Sequence, residues 1–116
     1  MNNRITLVKV INNDKILEES IGNIIKSGSF KKNLIELKLV NILNNDKVNK
    51  YIKDNNLEKY LVNDINSTNE YEIYNILKRN IDTKYVNFST TSTFVEAKEL
   101  DKIINLLDNN KCVLGF

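Results

Sequence analysis

Between Asn3 and Asn12 the chain alternates in a way that suits an extended strand: Ile5, Leu7, Lys9 and Ile11 fall on one face and Thr6, Val8 and Val10 on the other. Apolar residues on both faces place this strand in the interior of a sheet, with both sides covered. The period then changes. Leu17, Ile21, Ile24 and Ile25 recur at helical spacing, with Asp14 as a candidate cap, Glu18 and Glu19 early, Lys26 late and Gly28 as the stop.

From Phe30 to Leu43 the pattern fits two readings. Ile35, Leu37 and Leu39 alternate with Glu36 and Lys38 as in a strand, whereas Ile35, Leu39, Ile42 and Leu43 fit one helix face. Segment length and the scarcity of β-branched residues favour the helix. Two short helices follow, one around Val48, Tyr51 and Ile52 and one around Leu57, Tyr60, Leu61 and Ile65, separated at Asp54-Asn55-Asn56.

Ser67-Thr68-Asn69-Glu70 has the form of a capping box ahead of a stripe of Ile73, Tyr74, Leu77 and Ile81. Lys84 to Phe88 reads as a strand that runs on through the β-favouring threonines, so that 84–91 forms one element. Thr93-Phe94-Val95-Glu96 is a second capping box, opening a helix with Ala97, Leu100, Ile103, Ile104 and Leu107 inward, and Cys112 to Phe116 reads as a last strand. The expectation is a single α+β domain over 1–116, mostly helical, with a small sheet of about three strands: N-terminal, 84–91 and C-terminal.

Composition changes this picture at the breaks between elements. The chain has 116 residues, of which 21 are Asn, 15 Ile and 15 Lys, while Pro, His, Trp and Gln are absent and Gly occurs three times. Asn, Ile and Lys share AT-rich codons, so the excess points to an AT-rich genome. The asparagines nevertheless cluster at 12–13, 44–45, 55–56 and 109–110, where their short side chains bond to nearby backbone and tolerate left-handed geometry, replacing Pro and most Gly as punctuation.

The absences also limit the chemistry. Without His there is no His-based triad and no His metal ligand, and Cys112, the only cysteine, excludes an internal disulfide, a CxxC pair and a cysteine zinc cluster. Cys112 reads as a small core residue. No catalytic residue, metal or cofactor is assigned, and the chain points away from an enzyme. Apolar runs are too short for a signal peptide or a membrane span, so the expectation is a cytoplasmic protein with no membrane partner.

Two surface features could bind a partner. Residues 26–60 hold eight lysines against four acids, and Lys31, Lys32, Lys38, Lys47, Lys50, Tyr51 and Lys53 form a candidate protein- or nucleic-acid-binding face. Ser89-Thr90-Thr91-Ser92-Thr93 places five hydroxyls between a strand and a helix, and Thr91, Ser92 and Thr93 form a candidate anion or nucleotide-fragment site. Phe88 to Ser92 resembles the aromatic-Ser-Thr-Ser strand of ADP-ribosylating toxins over five residues. Glu96 and Glu99 do not supply that family's Glu-x-Glu, which excludes the assignment.

The leading functional expectation is a small non-enzymatic protein that binds a macromolecular partner, of the inhibitor, anti-defence or immunity type carried by a phage or mobile element. A nucleic-acid-binding regulator using 26–60 and a binder of a small anionic ligand at 89–93 are the alternatives. A homodimer formed through an open sheet edge is compatible with each.

Overall fold

A computed structural model describes residues 3–63 and 65–110, the side chains of 108–110 excepted. Three strands, β1 (Ile5–Ile11), β2 (Ile35–Asn41) and β3 (Tyr85–Thr90), form one parallel sheet in the order β2-β1-β3. β1 is central and every one of its residues is buried. Its neighbours are in register from the start, Ile5 pairing with Ile35 on one side and Tyr85 on the other.

Parallel strands need crossovers, and helices supply them. Between β1 and β2 a π-helical turn (Glu18–Gly22) runs into α1 (Asn23–Lys26), and α2 (Gly28–Lys31) follows. Between β2 and β3 lie α3 (Asp46–Asp54), a 3-10 turn (Glu58–Tyr60), α4 (Glu70–Leu77) and a second 3-10 turn (Lys78–Asn80). α5 (Ala97–Asn110) follows β3.

The alternation along β1 separates two cores. Ile5, Leu7 and Ile11 pack with Leu17, Ile21, Ile24, Val48, Ile52, Leu100 and Ile104 in the larger core. Val8 and Val10 pack with Val40, Ile73 and Leu77 on the opposite face, beneath α4. Helices therefore cover both faces of the sheet, which is why β1 carries apolar side chains on both.

The fold agrees with the expected α and β content around a three-stranded sheet, but helix accounts for 46% of it, so it is not mostly helical. Residues 30–43 are not a helix. Asn33, at φ 62°, ends α2 in the left-handed region, and the chain continues as β2 with Ile35, Leu37 and Leu39 buried. Here the alternation outweighs helix propensity because the strand buries three large side chains against the main core.

Where a helix around Leu57, Tyr60, Leu61 and Ile65 is expected, the described residues form only the short 3-10 turn Glu58–Tyr60. Leu61 then bridges to Leu39, and the Val62 amide donates to the Leu39 carbonyl at 2.9 Å, so the segment lies along the edge of β2. Asp14 does not cap a helix; it accepts from Asn45 Nδ2 and lies 3.9 Å from Lys47. Gly28 opens α2 instead of ending α1, with Ser27 as its N-cap.

α4 is capped by Asn69, whose Oδ1 accepts from the Tyr71 and Glu72 amides. Ser67 serves the cap by accepting from Asn69 N and donating to Glu72. α4 ends at Leu77, short of Ile81. Thr93 does not cap α5: its hydroxyl donates back to the Thr90 carbonyl, and Asn23 Oδ1 receives the Ala97 amide. The expected strand Cys112–Phe116, with Cys112 itself, lies outside the described residues.

Candidate functional site

Because the sheet is parallel, the three strand ends that follow Ile11, Asn41 and Thr90 emerge on one side of the molecule. The chain leaves β1 toward β2 and later returns past it to β3, so the connections diverge at the β1/β3 boundary. In parallel sheets this switch point opens a crevice at the carboxyl ends of the strands, the usual place for a ligand.

The two lips of the switch point are Asn12-Asn13 and Thr91-Ser92-Thr93, almost 80 residues apart in sequence and joined directly by hydrogen bonds. Thr91 is fully buried, and its hydroxyl donates to the Asn13 carbonyl at 2.7 Å while accepting from the Asn13 amide at 3.1 Å. Ser92 Oγ donates to Asn12 Oδ1 at 3.2 Å. The Thr91 amide donates to the Val10 carbonyl at 3.0 Å and continues the ladder one residue past β3.

The β3–α5 loop is also held from beneath. Lys9 Nζ donates to the carbonyls of Thr90 at 3.2 Å and Thr93 at 3.3 Å. Ser20 Oγ, on the π-helical turn, lies 3.0 Å from the Thr91 carbonyl and 2.8 Å from that of Thr93. Burial pushes the Lys9 amine down to about 8, because its charge leaves water for a site where only neutral dipoles receive it. π-helical turns recur at functional sites, and here the turn aims Ser20 at the loop.

Of the candidate anion site, Thr91 lies inside the lip and Ser92 and Thr93 lie on its exposed side. The loop amides are in use within the protein: Thr91 N bonds to Val10, Ser92 N to Thr90 Oγ1 and Thr93 N to the Thr90 carbonyl. The switch point therefore presents the Ser92 and Thr93 hydroxyls and the part-exposed Asn12 carboxamide, with its loop amides turned inward.

The candidate basic face is distributed over separate elements. Lys31 and Lys32 lie at the end of α2, Lys38 lies on β2 at 4.0 Å from Glu36, and Lys47, Lys50, Tyr51 and Lys53 share α3. On α3, Lys50 pairs with Asp54 at 2.6 Å and Lys47 approaches Asp14. The Tyr51 phenol donates to Glu18 at 3.0 Å. Burial and the Glu18 carboxylate push the phenol well up, while Tyr51 and Lys26 hold Glu18 below the usual range.

Lys47, Lys50 and Tyr51 line a groove of about 330 Å3 with Asp14 and Glu18, next to the β1 lip. Lys38 lines a different groove, of about 400 Å3, with Lys59 and Tyr60 along the edge of β2. Among the described residues no group of three His, Cys, Asp or Glu could hold a metal ion. No helix there is long and apolar enough to cross a membrane.

Sequence reasoning missed Lys9, Ser20, Asn12 and Asn13. The one available signal was Lys9 itself, a charge on a strand face otherwise made of Ile5, Leu7 and Ile11. Ser20 and the asparagines carry no such mark, since their roles depend on a loop some 70 to 80 residues away.

The class defined by fold and site is a parallel sheet wound through helices on both faces, with its switch point between β1 and β3. No family model and no curated protein matches the chain. Among solved structures, the crystal structure of S. aureus TarS 1–349 is similar in fold, with a TM-score of 0.70 and 15% sequence identity over 93% of this chain and 33% of that one. The chain thus spans about a third of that structure's length. At this identity the likeness is one of fold alone.

Proposed function

We propose that the chain binds a small ligand of the nucleotide type at the β1/β3 switch point. The observation that carries this reading is the convergence of Asn12, Asn13, Thr91 and Ser92 at the carboxyl ends of two neighbouring parallel strands. Thr91 and the Asn13 backbone join the two segments, and the part-exposed Asn12 carboxamide with the exposed Ser92 hydroxyl suits the heteroatoms of a base and the hydroxyls of a sugar. In the adjoining groove Lys15, Lys47 and Lys50 face Asp14, Glu18, Glu19 and Asp54, so the reading rests on polar contacts to base and sugar and not on an excess of positive charge.

The experiment is amide-shift NMR of the full chain against a panel of nucleoside mono- and diphosphates, with thermal unfolding alongside. Shifts concentrated at 12–15 and 90–93, with a rise in melting temperature that Asn12→Ala and Ser92→Ala each reduce, support the reading. A ligand at a hundred times its Kd adds about 2.7 kcal/mol of apparent stability. No shift and no stabilisation at millimolar ligand, or shifts confined to the α3 lysines, overturn it.

A second reading, contact with a protein partner of the inhibitor type, is favoured by apolar side chains left exposed on one side of the sheet. Tyr71 is 77% exposed, Tyr74 stacks edge-on against Phe88 with ring centroids at 4.3 Å, and Val86 is exposed on β3. Such aromatic surface suits a protein interface. A tagged pull-down in which a stoichiometric partner is lost on Tyr71→Ala plus Val86→Lys supports it. A partner retained by that folded variant counts against this surface.

A further inference from the structure

Beneath the β3–α5 loop, between the sheet, the π-helical turn and α5, lies a cavity of about 60 Å3. Lys9 enters it from β1, Ser20 from the turn and Asn87 and Ser89 from β3, while Ile24 and Leu100 supply apolar wall. None of the elements packed against Lys9 contributes another charged side chain to this wall. The amine is therefore buried without a carboxylate.

Its hydrogen bonds define a direction. An uncharged amine has two N–H groups and one lone pair. With both N–H groups directed to the carbonyls of Thr90 and Thr93, the remaining tetrahedral position, occupied by the lone pair, is left for the cavity. That arrangement holds a nucleophile ready in a small, partly apolar space.

We propose that Lys9 is a reversible carbon dioxide site, its uncharged amine adding to CO2 to form a carbamate inside this cavity. The nitrogen lone pair forms the N–C bond, one C–O π pair moves to oxygen, and the nitrogen releases one proton to solvent. No further reactant is consumed. Size favours this electrophile, since a cavity of about 60 Å3 corresponds to about two water volumes and CO2 has three heavy atoms. Bonding favours it over an aldehyde: a carbamate keeps one N–H for the loop carbonyls, whereas an imine keeps none. The Ser89 hydroxyl is placed in the same wall as a donor to the new carboxylate.

With its amine at about 8, Lys9 is about half uncharged at pH 8, roughly a hundredfold above an ordinary lysine. The α-amine, whose ordinary pKa is also near 8, is the only other amine with that property by residue type. The test is 13C NMR of the full chain in 13C-bicarbonate between pH 7 and 9. Two carbamate resonances are expected, of which folded Lys9→Arg removes one and Ser89→Ala weakens the same one severalfold. Alkylative trapping followed by peptide mass mapping of the unaltered chain should place the adduct on Lys9 and needs no variant. Both resonances persisting in folded Lys9→Arg, or a trapped adduct absent from Lys9, overturns the proposal.

Discussion

An ammonium group enclosed on the inward face of β1 makes stability depend on pH in a defined direction. The Lys9 amine titrates near 8 when folded and near its ordinary value of 10.5 when unfolded, because burial disfavours its charge. Between those values the unfolded chain binds more protons, so stability rises with pH. The burial penalty is fully present below about pH 8 and is relieved by pH 10.5, a change of about 3 kcal/mol at 1.36 kcal/mol per pH unit. Urea midpoints measured across this window should climb, and the climb should vanish in Lys9→Met; a flat profile in the parent chain would show that the amine is better solvated than its surroundings imply. A second effect at this scale concerns asparagine. The described non-glycine residues with positive φ are Asn33, Asn44 and Asn56, all asparagines. At exposed Asn56, with φ 55°, alanine should cost about 1 to 2 kcal/mol, while glycine, which has no Cβ to clash, should cost little. Equal losses for the two substitutions in chemical denaturation would assign the effect to the side chain and not to the backbone.

Elements here are joined by side chains that cap a neighbour's terminus. Asp101 on α5 accepts from the Gly28 amide at 3.1 Å and from the Ser29 amide at 2.8 Å and hydroxyl at 2.6 Å, closing the exposed donors of α2. Burial alone would raise the Asp101 carboxyl, but these bonds and the charge of Lys32 outweigh it and hold the group below its ordinary value. Asp101→Ala should cost about 1 to 2 kcal/mol, in the range of a lost helix cap, and the parent's advantage over it should fade as acid protonates the carboxylate. Denaturant midpoints at pH 7 and pH 3 check both parts. The sequence made elements legible where one period dominates. β1, the helical turn through Ile24 and α3 follow from their apolar repeats, and the run from Tyr85 to Thr90 from its β-favouring residues. At 30–43 two periods fit equally, and the choice between them was made by burial against residues far along the chain, as at Leu39, which meets Leu61. The capping motifs misled for a related reason: Asn23 and Asp101 reach other helices, and a motif read within four residues contains no sign of them.

At the scale of the whole molecule, the candidate site is a property of topology. The hydroxyl run at 89–93 was visible in the chain, but its partners Asn12, Asn13, Ser20 and Lys9 became neighbours only because β3 pairs with β1 on the side away from β2. The same winding divides the interior, since the sheet stands between the core that contains Ile21 and the one that contains Ile73. Both side chains are fully buried, so each should feel the loss of a methyl group. Ile21→Val and Ile73→Val should each cost about 0.5 to 1.5 kcal/mol. With β1 between them and no shared neighbour, the double variant should lose the sum of the two within about 0.5 kcal/mol. A two-state urea transition in all four proteins makes the comparison valid, and a coupling above about 1 kcal/mol would mean that the central strand shifts as one body between its two layers. Such a shift would reach Thr91 through its bonds to the chain just past β1, so the same double variant should then alter amide shifts at 90–93, whereas additive cores leave them in place.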